Sequence, residues 1–389
     1  MIGTAASEPR TGVAARATLL YLLLLLVGYS PPGHSADAAF ALFGTVRTAA
    51  SPSRNLAATG SSASAVAPSA SASSFASVEL RYAEYPARPS SSSSDPHDPV
   101  IILHGLLGSK RNFASLASSL SSQLRRPRLL VTLDLRNHGE NDPITSWSDD
   151  MSYPSMASDV IAVMDELGME RAVLVGHSMG GKVAAAASLL FPDRVSGLVV
   201  LDIAPVRYRP ESDAAWGAVV GSVEAIANIN LAGEKKGEEA SVEGGDGGCT
   251  TKRDVDRALR PALEDPALRA FVLTNLDQPR KRDDDAEGRL RWKVNVAAIR
   301  DQLDVLAGFD LHPSGEEDSD GETRSELLYS GDVFIISGGM SRFVQQSHLD
   351  EIRGYFPNYM VTSIRGAGHW VHAEAPDDTV ALLKRYLDR

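Results

Sequence analysis

The chain has 389 residues, a formal net charge of −12 at pH 7 and one cysteine, Cys249. This acidity argues against a nucleic-acid-binding protein, and a single cysteine excludes both an intramolecular disulfide and a cysteine-based metal site. The sequence has no H-E-x-x-H motif, no Walker loop and no G-x-G-x-x-G after a strand, so it predicts an activity that uses neither a metal nor a nucleotide cofactor.

The N-terminal region has the composition of a targeting leader. An apolar run at 19–27 follows an arginine and precedes small residues, which predicts a signal peptide over 1–39. Residues 40–78 are rich in Ser and Ala, contain Arg47 and Arg54, and lack Asp and Glu. This composition is typical of a transit peptide.

Together the two segments are similar to the bipartite leader of plastids acquired by secondary endosymbiosis. We therefore expect delivery to an organelle, a plastid in the first place. Secretion, a retained membrane anchor at 19–27 and mitochondrial import remain the alternatives.

A strand is predicted at 99–103, and the loop after it, 104–109, reads H-G-L-L-G-S. This loop resembles the H-G motif of esterases, in which a backbone N–H helps to form the oxyanion hole. We expect the N–H of Leu106 to serve in this way. His104 is expected to support the loop and not to titrate during the reaction.

The most informative motif follows the apolar run 172–175 and reads G-H-S-M-G-G over 176–181. A strand, a tight turn and a helix that starts with small residues at 182–187 can be read around its G-x-S-x-G core, as in a nucleophile elbow. Small residues flank the serine there because its strained backbone packs against the neighbouring strand and helix. We predict Ser178 as nucleophile and the N–H of Met179 as the second oxyanion donor. An incidental Gly/Ser turn is the alternative.

A serine hydroxyl is a weak nucleophile at neutral pH, so it needs a histidine base and an acid that orients this base. The strand predicted at 196–201 ends in D-I-A-P over 202–205, which places a carboxylate at a strand's carboxyl end beside the nucleophile strand. We predict Asp202 as the acid. Because Asp commonly stabilises turns, a role in capping the following turn is the alternative.

Residues from about 205 to 328 are predicted to form a helical cap and its return linker. Helical periodicity is visible at 255–263 and 295–306. A cap over the elbow would exclude water and select the acyl group. Its acidic residues Asp301, Asp304 and Asp310 are weaker candidates for the acid. Three stretches rich in glycine or charge are predicted to be solvated loops, at 232–251, 281–289 and 314–326.

The C-terminal part supplies the base. After a strand at 333–336, the loop 337–342 occupies the usual place of the acid but carries no carboxylate. After the next strand, the loop 366–372 reads G-A-G-H-W-V-H and precedes a helix predicted at 376–387. Such a loop can bring an imidazole to the carboxyl edge of a parallel sheet.

We therefore predict His369 as the base. His372 is the alternative base, although its position three residues further on should place it at the start of the approach to the following helix. His177, inside the elbow, is expected to shape the site.

Seven blocks of the sequence occur in a fixed order, at 104–110, 134–139, 176–182, 202–206, 274–276, 292–295 and 366–372. They resemble the branch of the α/β-hydrolase superfamily that contains alpha/beta hydrolase domain-containing protein 11 and a group of small bacterial esterases. The resemblance implies an α/β-hydrolase domain at 79–389, with a mostly parallel, twisted sheet flanked by helices. It also implies a helical cap inserted after the sixth core strand.

The resemblance bears on the acid as well. In the bacterial members an Asp-Ile-x-Pro-Val segment supplies it, which supports Asp202, and the order Ser178, Asp202, His369 is the α/β-hydrolase order of nucleophile, acid and base. Another family assignment would place the acid at position 297. This chain has Ala297 there, and alanine has no carboxylate, so it cannot serve as the acid. Residues 140–141 of this chain are Glu-Asn, whereas the second of these two residues is usually a serine in the family. We expect that departure to alter only the rim of the site.

The sequence thus predicts a cofactor-independent serine hydrolase that cleaves carboxylic esters through an acyl-enzyme. Small-molecule esters, lipid esters and thioesters fit equally well, and no nucleic acid, metal or particular oligomeric state is indicated. A carbon–carbon bond hydrolase and a non-catalytic binding protein on the same scaffold are the alternatives. Epoxide hydrolases and dehalogenases fit less well because they use an aspartate in place of Ser178.

Overall fold

A computed structural model of the chain describes residues 77–87, 97–231, 248–277, 289–311 and 327–389. The predicted signal peptide and nearly all of the predicted transit segment lie outside these residues, as do most of the three predicted solvated loops. Among the residues that are described, none of the helices combines the length and the apolar character needed to cross a bilayer.

The described residues form two compact units. The larger unit includes the described parts of 77–220 and 294–389, and the smaller unit includes the described parts of 221–293. All the predicted site residues belong to the larger unit.

Nine strands are present among the described residues. In chain order, β1 to β9 are Tyr82–Tyr85, Val100–Leu103, Leu130–Leu133, Ala172–His177, Val195–Leu201, Leu276–Asp277, Arg291–Trp292, Val333–Gly338 and Tyr359–Ile364. Seven of them form the sheet of the larger unit, in the order β1-β3-β2-β4-β5-β8-β9. Only β1 runs antiparallel to its neighbour, β3; the other pairs in this sheet are parallel.

The strand order has a switch point at β2. The chain passes from β2 to β3 on one side and then returns to β4 on the other side of β2. In open parallel sheets, the crevice at the carboxyl ends of the strands beside such a switch point is where ligands bind. The loops after β2 and β4 both lie at this point.

The central strands are buried along their whole length because helices cover both faces of the sheet. Every residue of β2, β3 and β4 is buried, as expected of parallel strands in a doubly wound fold. The helices α1 to α11 are Ala114–Gln123, Tyr153–Glu166, Met179–Leu190, Ala214–Ala227, Lys252–Leu259, Pro266–Leu273, Val296–Asp301, Leu303–Ala307, Leu349–Tyr355, Val371–Glu374 and Pro376–Leu387.

Helix α3 packs on β4, β5 and α2, and α11 packs on α1. Side chains of α1, α11 and the sheet share one core cluster. The predicted α/β fold with a mostly parallel sheet is therefore confirmed.

Two details differ from the sequence prediction. Five strands of the described sheet precede the region predicted as a cap, so Val195–Leu201 is the fifth strand here and not the sixth. The single helical stretch predicted at 295–306 is two helices, α7 and α8. They are separated at Gln302, whose φ of −107° and ψ of 15° leave the helical region.

The smaller unit contains helices α5 and α6, which pack on each other, and the antiparallel pair β6 and β7. Helix α5 starts at a capping box in which the Thr251 hydroxyl accepts from the Asp254 N–H and the Asp254 carboxylate accepts from the Thr251 N–H. Whether this unit serves as the cap over the elbow remains a prediction.

Candidate active site

Ser178 lies in a sharp turn between β4, which ends at His177, and α3, which begins at Met179. Its φ of +52° and ψ of −123° are unusual for a residue with a side chain. A non-glycine residue at positive φ is strained, and such strain is concentrated at functional sites. The turn presents Ser178 at the carboxyl edge of the sheet.

The glycines of the motif are required by space. A Cβ on Gly176 would lie 2.1 Å from the carbonyl oxygen of Gly180, and a Cβ on Gly180 would lie 2.4 Å from the carbonyl oxygen of His104. Both contacts are with backbone atoms, which cannot swing away. These close approaches of strand, turn and helix explain why the elbow is built from G-x-S-x-G.

Asp202 directly follows β5, also at positive φ (+53°), and is fully buried. Its Oδ2 lies 2.7 Å from Nδ1 of His369. Two further donors come from the end of β8 and the loop after it: the Gly338 N–H donates to Oδ1 at 2.8 Å, and the Ser341 hydroxyl donates to Oδ2 at 2.5 Å. The loop that lacks a carboxylate thus binds the carboxylate of the neighbouring strand.

His369 lies in the loop after β9, with its side chain 18% exposed. Because a carboxylate oxygen accepts, the bond to Asp202 places the imidazole proton on Nδ1 and leaves Nε2 as the nitrogen that can act as a base. The ring of Phe343 packs against the imidazole with 4.2 Å between ring centroids. The structure therefore brings His369 and Asp202 together in the orientation that a catalytic pair needs.

His372 has different surroundings. It belongs to α10, and its ring stacks on Phe113 at 4.3 Å and meets the His177 ring at 4.7 Å. Burial lowers the pKa of His372 to about 3. The structure pairs Asp202 with His369 and not with His372.

The loop after β2 runs beside the nucleophile. A Cβ on Gly105 would lie 3.1 Å from Cβ of Ser178, and Leu106 is the next residue. Met179 is the first residue of α3, so its N–H is one of the amides that a helix N-terminus leaves without an intrahelical partner. Met179 thus directly follows the serine, and Leu106 directly follows the loop residue that approaches it.

Two buried histidines support this loop. Nδ1 of His104 lies 2.8 Å from the Gly105 oxygen, and Nε2 of His104 accepts the Leu135 N–H at 2.9 Å. Nε2 of His138 accepts the Leu107 N–H at 3.1 Å.

Burial lowers the pKa of His104 to about 4 and that of His138 to about 3. Both rings are therefore neutral near pH 7, as their acceptor role requires. No sequence pattern assigns a role to His138 itself, although it lies in the D-L-R-N-H-G block at 134–139.

The other predicted acids have their own partners. Asp304 is exposed on α8 and forms an ion pair with Arg207 at 2.9 Å, and Asp301 pairs with Arg300 at 3.1 Å. The described part of the chain contains no group of three or more His, Cys, Asp or Glu side chains that could hold a metal ion.

Comparisons with known proteins identify the family of the chain. The profile of the alpha/beta hydrolase fold family matches residues 98–376. The sn-1-specific diacylglycerol lipase ABHD11 of Mus musculus is 33% identical over 288 residues, which are 74% of this chain and 80% of that protein. Esterase YbfF of Escherichia coli (strain K12) is 30% identical over 294 residues, which are 75% of this chain and 94% of that protein.

Among solved structures, a marine microorganism esterase superposes with a TM-score of 0.62 at 26% identity, covering 79% of this chain and 99% of its own. The resemblance seen in the sequence motifs is thus confirmed by relatives that match most of the chain. This chain belongs to the alpha/beta hydrolase family, in the branch that includes ABHD11 and the esterase YbfF.

Proposed function

We propose that this carboxylic ester hydrolase works through an acyl-enzyme formed on Ser178. In the first half-reaction, Oγ of Ser178 attacks the ester carbonyl carbon while Nε2 of His369 takes the hydroxyl proton. The tetrahedral intermediate then collapses: the bond to the alkoxy oxygen breaks, and the imidazolium returns its proton to the leaving alcohol.

Water completes the cycle. His369 takes one proton from a water molecule as the water oxygen attacks the acyl carbon. The bond between this carbon and Oγ of Ser178 then breaks as the imidazolium returns the proton to Oγ. The products are a carboxylic acid and free enzyme. Asp202 keeps the imidazole in the tautomer that has Nε2 available and stabilises the imidazolium.

The N–H groups of Leu106 and Met179 are proposed to hold the oxyanion. Donors that point in advance to the developing charge stabilise the transition state without reorganisation. The neutral His104 and His138 rings support this role because they fix the backbone on both sides of Leu106.

The observation that carries the proposal is the 2.7 Å contact between Asp202 and His369. It joins two residues 167 positions apart in the sequence, and the carbonyl oxygen of His369 also accepts a hydrogen bond from His177, the residue before the strained serine. A binding protein would not need an oriented imidazole at this place. The named activities of the relatives, a diacylglycerol lipase and an esterase, support carboxylic esters as substrates, lipid esters among them.

The test is labelling of the purified protein with a fluorophosphonate probe, together with turnover of p-nitrophenyl esters of increasing acyl length. We expect labelling and turnover in the wild type, and neither in Ser178→Ala. The chain-length dependence would then measure the acyl group that the enzyme accepts. A folded wild-type protein that neither labels nor hydrolyses any of the esters would favour the non-catalytic scaffold instead.

A further inference from the structure

The orientation of the catalytic imidazole depends on its backbone, which belongs to a loop. The single contact between Nδ1 of His369 and Asp202 fixes one end of the ring. If the loop moved, Nε2 would leave the position that it needs for proton transfer from Ser178. Reaction rates are sensitive to such displacements, since a misplacement of about 1 Å can cost about 100-fold.

Glu374 holds this loop on both sides of His369. Its Oε2 accepts the Gly368 N–H at 2.7 Å, and its Oε1 accepts the Trp370 N–H at 3.1 Å. One carboxylate therefore binds the amides that flank the catalytic residue. Capping of α10 would require only the bond to Trp370, the residue before the helix. The bond to Gly368 reaches past His369, to the part of the loop that precedes it.

The Glu374 carboxylate approaches the backbone of Gly368 closely. A Cβ on this residue would lie 3.0 Å from both carboxylate oxygens of Glu374, which is tighter than an ordinary contact. The glycine in G-A-G-H-W thus lets the carboxylate bind close to the loop.

His177 holds the backbone carbonyl group of His369. Its Nε2 lies 3.0 Å from the His369 carbonyl oxygen. A carbonyl accepts, so Nε2 carries a proton and donates. His177 is 3% exposed, and its ring lies 4.8 Å from the His369 ring. Burial and the neighbouring rings of His372 and His369 lower its pKa well below the ordinary value, so the donor is a neutral imidazole.

His177 also immediately precedes Ser178. The residue that bonds to the base loop is therefore part of the turn that carries the nucleophile. A rigid β4 strand, buried along its length, ends at this residue.

We propose that His177 and Glu374 are positioning residues that hold the backbone of His369 from both sides and thereby keep its imidazole between Asp202 and Ser178. The inference rests on the proposed acyl-enzyme function. It assigns no contact with the substrate to either residue, so loss of the clamp is expected to lower kcat and leave KM nearly unchanged.

Two variants of His177 separate hydrogen bonding from packing. His177→Gln keeps an N–H donor at the end of a side chain of similar length, whereas His177→Met fills similar space without a donor. We expect kcat of His177→Met to fall about 10- to 100-fold, in line with misplacement of a catalytic group. His177→Gln is expected to recover most of this loss.

Glu374→Ala tests the other side of the clamp, and Asp378→Asn is its matched control. Asp378 is an exposed carboxylate in the first turn of α11, so this control removes the same charge four residues away. We expect kcat to fall about tenfold in Glu374→Ala, as expected when hydrogen bonds worth about 1.4 kcal/mol are lost. Asp378→Asn should stay within about twofold of the wild type, as for surface changes.

For each protein, kcat and KM are measured with one p-nitrophenyl ester, and the fluorophosphonate end point counts competent active sites. The expected pattern is full labelling at a reduced rate, lower kcat and unchanged KM. Wild-type kcat in both His177→Met and Glu374→Ala would overturn the inference, as would a loss confined to KM.

The remaining outcomes are also decisive. If His177→Gln is as slow as His177→Met, the donor of His177 has no part in positioning and this half of the inference is wrong. His177→Met could fail to fold. In that case Glu374→Ala, which changes an exposed residue, tests whether the loop is held: a lower kcat with unchanged KM supports the inference, and wild-type kcat overturns it. A wild-type protein without labelling or turnover would instead refute the proposed function, which distinguishes the two failures.

Discussion

Asp202 is the acid of the proposed triad. It directly follows the strand next to the nucleophile strand. Its two oxygens receive the Gly338 N–H, the Ser341 hydroxyl and Nδ1 of His369. All three groups donate, so the site is built for an acceptor that carries negative charge. An amide at this position would turn an NH2 group toward at least one donor.

We therefore predict that Asp202→Asn lowers kcat about 10³- to 10⁴-fold, the effect expected when the base is held in the wrong tautomer. Asp304→Asn is the control, since Asp304 is exposed and paired with Arg207; its activity should stay within about twofold of the wild type. The measurement is kcat on one ester, with circular dichroism to verify folding. Loss of activity in the Asp304 variant alone would show that the acid assignment is wrong.

Some residues of the proposed site could be predicted from the sequence, and others could not. Ser178, Asp202 and His369 each follow a strand in a short local motif, so their position at one sheet edge could be predicted. Ser341 and Glu374 carry no such signal. Their contacts depend on how loops after β8 and β9 pack, and the sequence patterns of those loops do not specify this.

At the scale of elements, helix α3 carries both the nucleophile turn and an unusual buried cation, Lys182, which is 1% exposed. Its Nζ donates to the carbonyl oxygens of Val206 at 2.8 Å, Ala307 at 2.9 Å and Gly308 at 2.7 Å. The Tyr208 ring lies 4.8 Å from the same ammonium. Two of these oxygens belong to the end of α8, where unsatisfied carbonyls give a helix its negative pole.

Lys182→Met should therefore destabilise the protein by about 2–6 kcal/mol, because the carbonyls of Val206 and Gly308 would lose this donor at about 1–3 kcal/mol each. The Ala307 oxygen would still accept the Tyr208 N–H. Lys384→Met removes a lysine whose Nζ makes one exposed contact, with Gln123, and should change stability by less than about 0.5 kcal/mol. Urea unfolding followed by tryptophan fluorescence measures both. Equal stability of the two variants would mean that Lys182 does not tie α3 to the end of α8.

The helix predicted at 376–387 is observed with these limits, as Pro376–Leu387. A proline at a helix start is a local signal that the sequence shows directly. The stretch 295–306 shows the opposite. Its apolar spacing fits one helix, but the chain turns at Gln302, and the periodicity of the side chains does not reveal a change in backbone direction.

At the scale of the whole molecule, several histidines are buried without charge. His104, His138 and His177 are at most 3% exposed, and burial lowers the pKa of each: to about 4 for His104, to about 3 for His138, and well below the ordinary value for His177. In the unfolded chain these groups would titrate near about 6.5. Below that pH the unfolded state binds protons that the folded state excludes.

The consequence for stability has a definite sign. The contribution of these histidines is complete above about pH 6.5 and is lost progressively as the pH falls toward about 4, since each group lowers the unfolding free energy by about 1.4 kcal/mol per pH unit. Three such groups give on the order of 4 kcal/mol per pH unit, a large share of the roughly 5–15 kcal/mol that stabilises a typical protein. We predict steep acid destabilisation below pH 6.

Urea unfolding at pH 7.5, 6.0 and 5.0 measures this slope, and His138→Gln provides the matched comparison. The glutamine oxygen can accept the Leu107 N–H in place of Nε2, but it does not titrate. Whatever its effect on stability at pH 7.5, this variant should have a slope smaller by about 1.4 kcal/mol per pH unit, the contribution of one proton. If the wild type is equally stable at pH 7.5 and 5.0, the buried rings accept protons in the folded state. In that case the neutral support of the loop at Leu106 would be refuted.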